Sequence, residues 1–144
     1  MKPVAKNIVA ALAGVVAGSL VNTGLVNIGP AIIPLPAGAD VSTMENLRDS
    51  MNLFTPVNFI FPFLAHALGT LTGAFIAAKF AASHSLKLAM GISVFFLIGG
   101  IAAASMLGGP VWFIATDLLL AYIPMGYLGA VLAGATRNYS DIQK

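Results

Sequence analysis

The stretch LAMGISVFFLIGGIAAASMLGGPVWFIAT, from Leu88 to Thr116, decides the fold because it contains no aspartate, glutamate, lysine or arginine. Asp117 follows it, and a second charge-free run, LLLAYIPMGYLGAVLAGAT, extends from Leu118 to Thr136. The segments 7–39 and 50–78 also lack charged residues, and each exceeds the ~20 residues that a helix needs to cross a ~30 Å hydrocarbon core. Asp117 is therefore a carboxylate held at membrane depth, where a charge costs roughly 2.5–3.5 kcal/mol.

Composition supports a membrane protein. The 144 residues are 58% hydrophobic and 8% charged, whereas soluble domains carry about 25% charged residues. A membrane β-barrel is excluded because its strands of ~10 residues alternate apolar and polar positions, and these runs are long and unalternated. We predict an all-α fold, a polytopic transmembrane four-helix bundle that forms a single integral domain over residues 1–144 in the lipid bilayer.

The four predicted spans cover about residues 7–26, 58–80, 88–107 and 112–135. Gly29-Pro30 follows the first span and Gly109-Pro110 follows the third. Both dipeptides are turn signals, so they are expected to end these spans.

The basic residues predict the orientation. With four spans, one side of the membrane receives all but one of them: Lys2, Lys6, Lys79, Lys87, Arg137 and Lys144. Only Arg48 falls on the other side, so the positive-inside rule places both termini and the loop 81–85 in the cytoplasm. Lys2 and Lys6 before an apolar run also fit a cleaved signal peptide, but we expect the first span to be retained. The net charge of +2 reflects this topology and is no sign of nucleic-acid binding.

The long first loop, on the predicted outer side, contains a helix signal. Ser42-Thr43-Met44-Glu45 fits a capping box. The helix that it begins, from about Thr43 to Leu53, would carry an apolar stripe of Met44, Leu47, Met51 and Phe54. We predict a short amphipathic helix that lies on the membrane surface or caps the bundle; a lid over an outward cavity is the alternative.

Three spans each place a polar side chain in the outer half of the membrane. At ~1.5 Å per residue, Asn22, His66 and Asp117 all lie roughly 6 to 12 Å from the outer boundary. A carboxylate beside an imidazole can share or relay a proton, and Asn22 could orient either group. These residues form a hypothetical ligand- or proton-binding site, unless they only hold the helices together by hydrogen bonds.

Small residues at intervals of three or four indicate where helices approach closely. The predicted packing positions are Gly14, Gly18, Gly69, Gly73, Gly126 and Gly129. The stripes of the second and fourth spans also predict a homo-oligomer. Pro124 frees a backbone carbonyl near Leu120 and is expected to kink the fourth span. In a regular helix Tyr122 would lie about 140° away from Asp117.

The sequence contains no phosphate loop, dinucleotide fingerprint, nucleophile elbow or HExxH motif. It also contains no cysteine, which excludes thiol catalysis and thiolate metal sites. We therefore expect no catalytic residues, no metal and no cofactor, and a protein that is not an enzyme.

Three blocks of sequence are distinctive: NFIFPFLAHALGTL at residues 58–71, GPAIIP at 29–34 and AYIPMG at 121–126. Together they resemble a family of small, uncharacterised bacterial integral membrane proteins with four predicted spans. The resemblance implies a multi-pass protein of the bacterial inner membrane. It implies no activity and no role for His66.

Two functions remain open. The first is a structural or accessory membrane subunit, which homo-oligomerises or joins other membrane subunits. The second is a small proton- or cation-linked transporter or channel that uses Asn22, His66 and Asp117. A water-accessible cavity beside His66 and Asp117 would favour the second, and a dry, packed environment the first.

Overall fold

A computed structural model describes residues 2–136, and within that range the chain is helical without strands. Four helical segments there are long and apolar enough to cross a membrane. They are α1 (Pro3–Ile32), α3 (Ile60–Phe80, preceded by the 3-10 turn Pro56–Phe59), α4 (Ser85–Leu107) and the pair α5 (Val111–Leu120) and α6 (Ile123–Leu132). The short helix α2 (Met44–Ser50) lies in the first loop. These elements confirm the all-helical fold and four helical segments that could span a membrane. Arg137 and Lys144, which entered the orientation argument, lie outside the described residues.

Helix α3 is the centre of the bundle, and glycines set its distance from α1. A methyl group added at Gly14 would lie 2.5 Å from the carbonyl oxygen of Gly73. One added at Gly18 would lie 2.6 Å from the carbonyl oxygen of Gly69. Both distances are too short for carbon and oxygen, so only glycine permits this approach of the two backbones.

Helix α6 reaches its neighbours in the same way. A methyl group at Gly129 would lie 2.6 Å from the carbonyl oxygen of Leu71 on α3, and one at Gly126 would overlap the Ser93 side chain on α4. All six predicted packing glycines therefore lie in contacts within one chain. The stripes on α3 and α6 are occupied by the chain itself, so they no longer argue for a homo-oligomer, which stays a prediction.

Helix α1 continues past its predicted end, and Gly29-Pro30 lie inside it. The expectation that this dipeptide is a turn was wrong for two physical reasons. Pro30 lies in the last turn, where it removes a single hydrogen bond of the helix. Gly29 is buried against Phe61, and a methyl group there would lie 2.8 Å from the Phe61 Cβ atom, so tertiary packing holds the helix together at this point.

The first loop contains the predicted helix, but its N-cap is Thr43 and not Ser42. The Thr43 hydroxyl accepts a hydrogen bond from the Asn46 amide at 3.1 Å. Ser42 is engaged elsewhere, since its amide donates to the Asp40 carboxylate at 2.8 Å. Hydrogen bonds from Ser42, and then from Asn46, lower the pKa of Asp40 below its usual 3.8.

One end of the bundle is closed by Asn7 of α1, which holds the turn between α3 and α4. Its side-chain oxygen accepts from the Ala82 amide at 2.8 Å, and its nitrogen donates to the Ser83 hydroxyl at 3.1 Å. The following residue, His84, is exposed and left-handed at φ 56°. We call this the short-loop end and the opposite end, with residues 33–59 and 108–110, the long-loop end.

The fourth span is broken at Ala121 and Tyr122, where α5 gives way to α6. Pro124 has no amide hydrogen, so the carbonyl of Leu120 loses its helical partner and the chain bends just before the proline. The predicted kink is confirmed. The kink has a consequence that the sequence did not predict: Tyr122 turns towards Asp117. The expectation that the two residues lie about 140° apart was therefore wrong.

Candidate functional site

His66 and Asp117 face each other between α3 and α5. The imidazole Nδ1 lies 2.9 Å from Oδ1 and 2.9 Å from Oδ2 of the carboxylate. An ionised carboxylate can only accept hydrogen bonds, so Nδ1 carries the proton in the charged state of Asp117. We refer to the two residues as the His66–Asp117 pair.

Tyr122 completes this arrangement. Its hydroxyl donates to Asp117 Oδ2 at 3.2 Å, and its ring is stacked on the His66 ring at a centroid distance of 5.7 Å. The break between α5 and α6 makes the hydrogen bond possible, because a continuous helix would hold the two side chains apart. The carboxylate thus receives hydrogen bonds from two aromatic side chains.

Burial differs within the pair. Asp117 is 4% exposed, whereas the side chain of His66 is 25% exposed. Because Nδ1 is bound to Asp117, Nε2 is the ring nitrogen that is free to meet another molecule. The site therefore combines a buried carboxylate, that of Asp117, with a partly exposed imidazole, that of His66.

Asn22 of α1 lies near His66 but not in the same hydrogen-bond group. Both residues line a cavity of about 290 Å³ between α1, α3 and α4, which we call the lateral cleft. The β-carbon of Asn22 approaches Gly69, where an added methyl group would lie 3.2 Å from it. Of the three predicted site residues, the fold thus pairs His66 with Asp117 and places Asn22 in the lining of the same cleft as His66.

Two smaller observations connect Asp117 with the long-loop end. His66, Asp117, Met51 and Leu107 line a cavity of about 50 Å³, the Asp117 cavity. Met51 and Leu107 also line an open cavity of about 770 Å³ at the long-loop end, the vestibule, together with Arg48, Asp49, Asn52 and Trp112. Two apolar side chains therefore separate the buried acid from a polar vestibule.

The lateral cleft and the Asp117 cavity are also neighbours. They share His66, Gly100 and Ala103 in their linings. The Asp117 cavity therefore adjoins the vestibule on one side and the lateral cleft on the other. The His66–Asp117 pair lies where the Asp117 cavity meets the lateral cleft.

Thr70 lies one helical turn beyond His66. After Tyr122, it is the second residue of the site that the sequence analysis did not predict. It lines the lateral cleft and is 1% exposed, and its Oγ1 atom has no hydrogen-bond partner among the described residues. A buried hydroxyl without a partner is costly and therefore uncommon. The sequence offered one signal, since Thr70 and Tyr122 lie on the same small-residue stripes as the packing glycines.

In the segment from residue 2 to residue 136, no group of three His, Cys, Asp or Glu side chains could hold a metal ion. Compared with known proteins, the chain matches no family model, no curated protein and no solved structure. The chemistry of the site is therefore the basis for a function.

Proposed function

We propose that the protein is a proton-linked membrane transporter or channel component in which the His66–Asp117 pair binds and releases a proton. The protein lies in a bacterial inner membrane with both termini in the cytoplasm, as the basic residues and the family resemblance suggest. The long-loop end then faces outward. The observation that carries the proposal is the position of the pair, which joins a buried carboxylate to an imidazole that lines a cavity.

A carboxyl group and an imidazole in one hydrogen-bonded unit can hold a proton at either member. With Asp117 ionised and His66 neutral, the pair has a charge of −1; with one added proton it is neutral. At membrane depth the neutral state is favoured by the low dielectric, and the hydrogen bond from Tyr122 favours the charged state. Proton exchange requires both states of the pair, and these two effects act on them in opposite directions.

Access from outside supports the proposal. The vestibule contains Arg48, Asp49 and Asn52, so water can fill it, and Met51 and Leu107 separate it from the Asp117 cavity. Met51 directly follows α2, and a movement of the first loop would open this path. The helix in the loop then acts as a lid.

A flux measurement tests the proposal. Purified protein is reconstituted in vesicles with an internal pH indicator, and the external pH is stepped while valinomycin and potassium hold the membrane potential at zero. We expect the pH gradient to decay faster than in empty vesicles. Asp117→Asn should lower the rate to that of empty vesicles, because asparagine retains the size and hydrogen-bonding reach of aspartate but cannot release a proton.

Asp40→Asn is the matched control, since Asp40 is an exposed carboxylate in the first loop. It should decay at the wild-type rate. A wild-type rate for Asp117→Asn in folded protein would exclude proton exchange at the pair.

A structural or accessory subunit is the second candidate, and one observation favours it. Asp117 is buried and connects α3, α5 and the start of α6 through His66 and Tyr122, as polar residues that only stabilise a bundle do. In this role the protein is expected to homo-oligomerise or to join other membrane subunits. It would show no proton flux above empty vesicles.

A further inference from the structure

The lateral cleft has features of a binding site that the His66–Asp117 pair alone does not explain. Its inner surface contains the buried residues Gly69, Thr70, Gly100 and Tyr122, and Ser19, Thr23 and Gly99 at its edge are exposed. Ser19 and Gly99 lie well inside α1 and α4, so the opening between these helices faces the bilayer. We propose that the cleft binds the head of a lipid-soluble primary or secondary ammonium ion, which the protein exchanges for a proton. This inference rests on the proposed proton exchange at the pair.

The hydrogen-bonding atoms of the cleft select a donor. The Nδ1 proton of His66 and the hydroxyl proton of Tyr122 are both directed at Asp117. What remains for a ligand is the lone pair of Nε2 and the lone pairs of the phenol oxygen, and both are acceptors. An ammonium N–H is complementary to them, whereas a carboxylate or phosphate is not.

Thr70 and Asn22 add to this preference. The Thr70 hydroxyl lacks a partner among the described residues, and its oxygen can accept from a ligand. Asn22 also lines the cleft, and its side-chain carbonyl can do the same. A ligand that donates two or three hydrogen bonds would satisfy groups that the folded chain leaves open.

Charge gives the second argument. The linings of the cleft and the Asp117 cavity contain no lysine, arginine or second carboxylate among the described residues. The linings around His66 contain uncharged residues of α1 and α4, the apolar side chain of Met51, and Asp117 and Tyr122 of the fourth span. Among the described residues that line these two cavities, Asp117 is thus the only carboxylate, and none is a lysine or arginine. The pair is neutral with one proton or with one monovalent cation, and carries +1 with both, so the two should exclude each other.

The walls fit an organic cation better than a hydrated metal ion. Phe96 and Tyr122 line the cleft, and aromatic faces attract ammonium groups. The cleft is small, at about 290 Å³, so it would take the head and a short part of the chain, with the remaining apolar part in the bilayer. This geometry explains why the cavity opens sideways and not towards water.

The probe is N-methyldodecylamine, and its binding is measured by titration calorimetry in nanodiscs of zwitterionic lipid, with empty nanodiscs subtracted. We expect saturable binding at one site per chain and, at a pH low enough for the pair to carry its proton, release of about one proton per amine, read from the dependence of the heat on the buffer. At pH values low enough for the pair to be protonated, the affinity for the amine should fall about tenfold for each further unit by which the pH is lowered. Dodecyltrimethylammonium, which lacks an N–H, and dodecanol, which lacks a charge, should both bind more weakly by at least about tenfold.

Variants identify the site. Thr70→Val should weaken amine binding about tenfold, since it removes one hydrogen bond, and Thr70→Ser should restore it. Thr116→Val is the matched control, because Thr116 is exposed and bonded within its own helix. Asp117→Asn should remove the coupled proton release. Proton flux that depends on Asp117 without amine binding would overturn this inference alone, and amine binding without proton release would overturn it as well.

Discussion

Asp117 accepts hydrogen bonds from two side chains, the imidazole of His66 and the hydroxyl of Tyr122. These hydrogen bonds affect the stability of the folded protein. Hydrogen bonds to a charged group contribute about 1.5–3 kcal/mol each. Loss of one partner of a buried charged pair costs about 3–5 kcal/mol, because the remaining charge is uncompensated. His66 and Tyr122 therefore stabilise the folded protein mainly while Asp117 is ionised.

A double-mutant cycle tests the coupling between the two members of the pair. We expect His66→Ala combined with Asp117→Asn to cost less free energy of unfolding than the sum of the single changes, by about 0.5–3 kcal/mol. The reason is that either change already removes the charged hydrogen bond. The measurement is reversible unfolding in mixed detergent. Strictly additive effects would show that the two side chains do not act as a unit and would leave only a packing role.

Tyr122 allows a second test at the same scale. Tyr122→Phe keeps the ring that stacks on His66 but removes the hydroxyl that donates to Asp117. We expect the pair to bind its proton more readily, since the charged carboxylate loses a donor, and the pH dependence of proton flux should shift to higher pH. An unchanged pH profile would mean that the hydrogen bond has no influence on the charge of Asp117. The control is Tyr127→Phe, an exposed tyrosine one turn and a half further along the chain.

At the scale of elements, the contact between α1 and α3 depends on glycine at particular positions. Gly14→Ala would force its methyl group to within 2.5 Å of the Gly73 carbonyl, so the helices must separate. Gly24 lies on the same helix, and nothing lies within 4 Å of a methyl group added there. We expect Gly14→Ala to lower the stability by about 1–3 kcal/mol through overpacking. Gly24→Ala should be neutral or stabilising by about 0.5–1 kcal/mol. Equal effects of the two changes, measured by unfolding, would contradict this packing.

The elements also show how far the sequence alone could lead. Hydropathy predicts the four spans well because it averages over about twenty residues, and no single contact alters it. Gly29-Pro30 misled because a local turn signal cannot reveal that Phe61 packs against Gly29. The approach of Tyr122 to Asp117 was missed for a related reason: angles within a helix assume that the helix continues, and Pro124 ends it.

The candidate site was partly within reach of the sequence. The positions of His66 and Asp117 along their spans predict that both lie at about the same depth in the membrane. This prediction needs only the rise per residue of a helix. Which side chains face each other depends on the rotation of each helix, which the glycine contacts set in three dimensions. For the same reason the unpartnered Thr70 hydroxyl could not be anticipated, since a threonine in a helix ordinarily bonds to its own backbone.

For the whole molecule, orientation in the membrane is the first property to measure. The sequence has no cysteine, so single cysteines can be introduced without background. We expect His84→Cys to react with a membrane-impermeant maleimide only from the cytoplasmic side, and Gly38→Cys only from outside, because both positions are exposed at opposite ends of the bundle. Labelling of residue 84 only from outside would reverse the proposed orientation and with it the direction from which protons enter.

The last property is the number of chains that a pathway requires. The lateral cleft and the Asp117 cavity lie in the half of the bundle nearest the long-loop end. Towards the short-loop end the interior is filled by a cluster of small apolar side chains, Ala74, Ala78, Ala89, Ala130 and Ala135. Among the described residues, this alanine cluster thus stands between the two cavities and the short-loop end. A second copy packed on the exposed face of α1 beside the cleft could provide the missing wall and leave the opening between α1 and α4 to the bilayer, as four spans enclose little space by themselves.

We therefore expect transport-competent protein to be a dimer or larger, even though its glycine stripes are used within one chain. Light scattering in detergent, with the detergent mass subtracted, should give at least twice the mass of one chain. Val16 and Leu20, which are exposed on α1 near the cleft, provide a test of the contact: Leu20→Cys should form a disulfide-linked dimer under oxidation. Leu132→Cys, exposed at the short-loop end of α6, is the comparison position and should not. A mass of one chain in a preparation that still shows Asp117-dependent proton flux would mean that the path opens by motion within a single bundle, with the alanine cluster as the part that must separate.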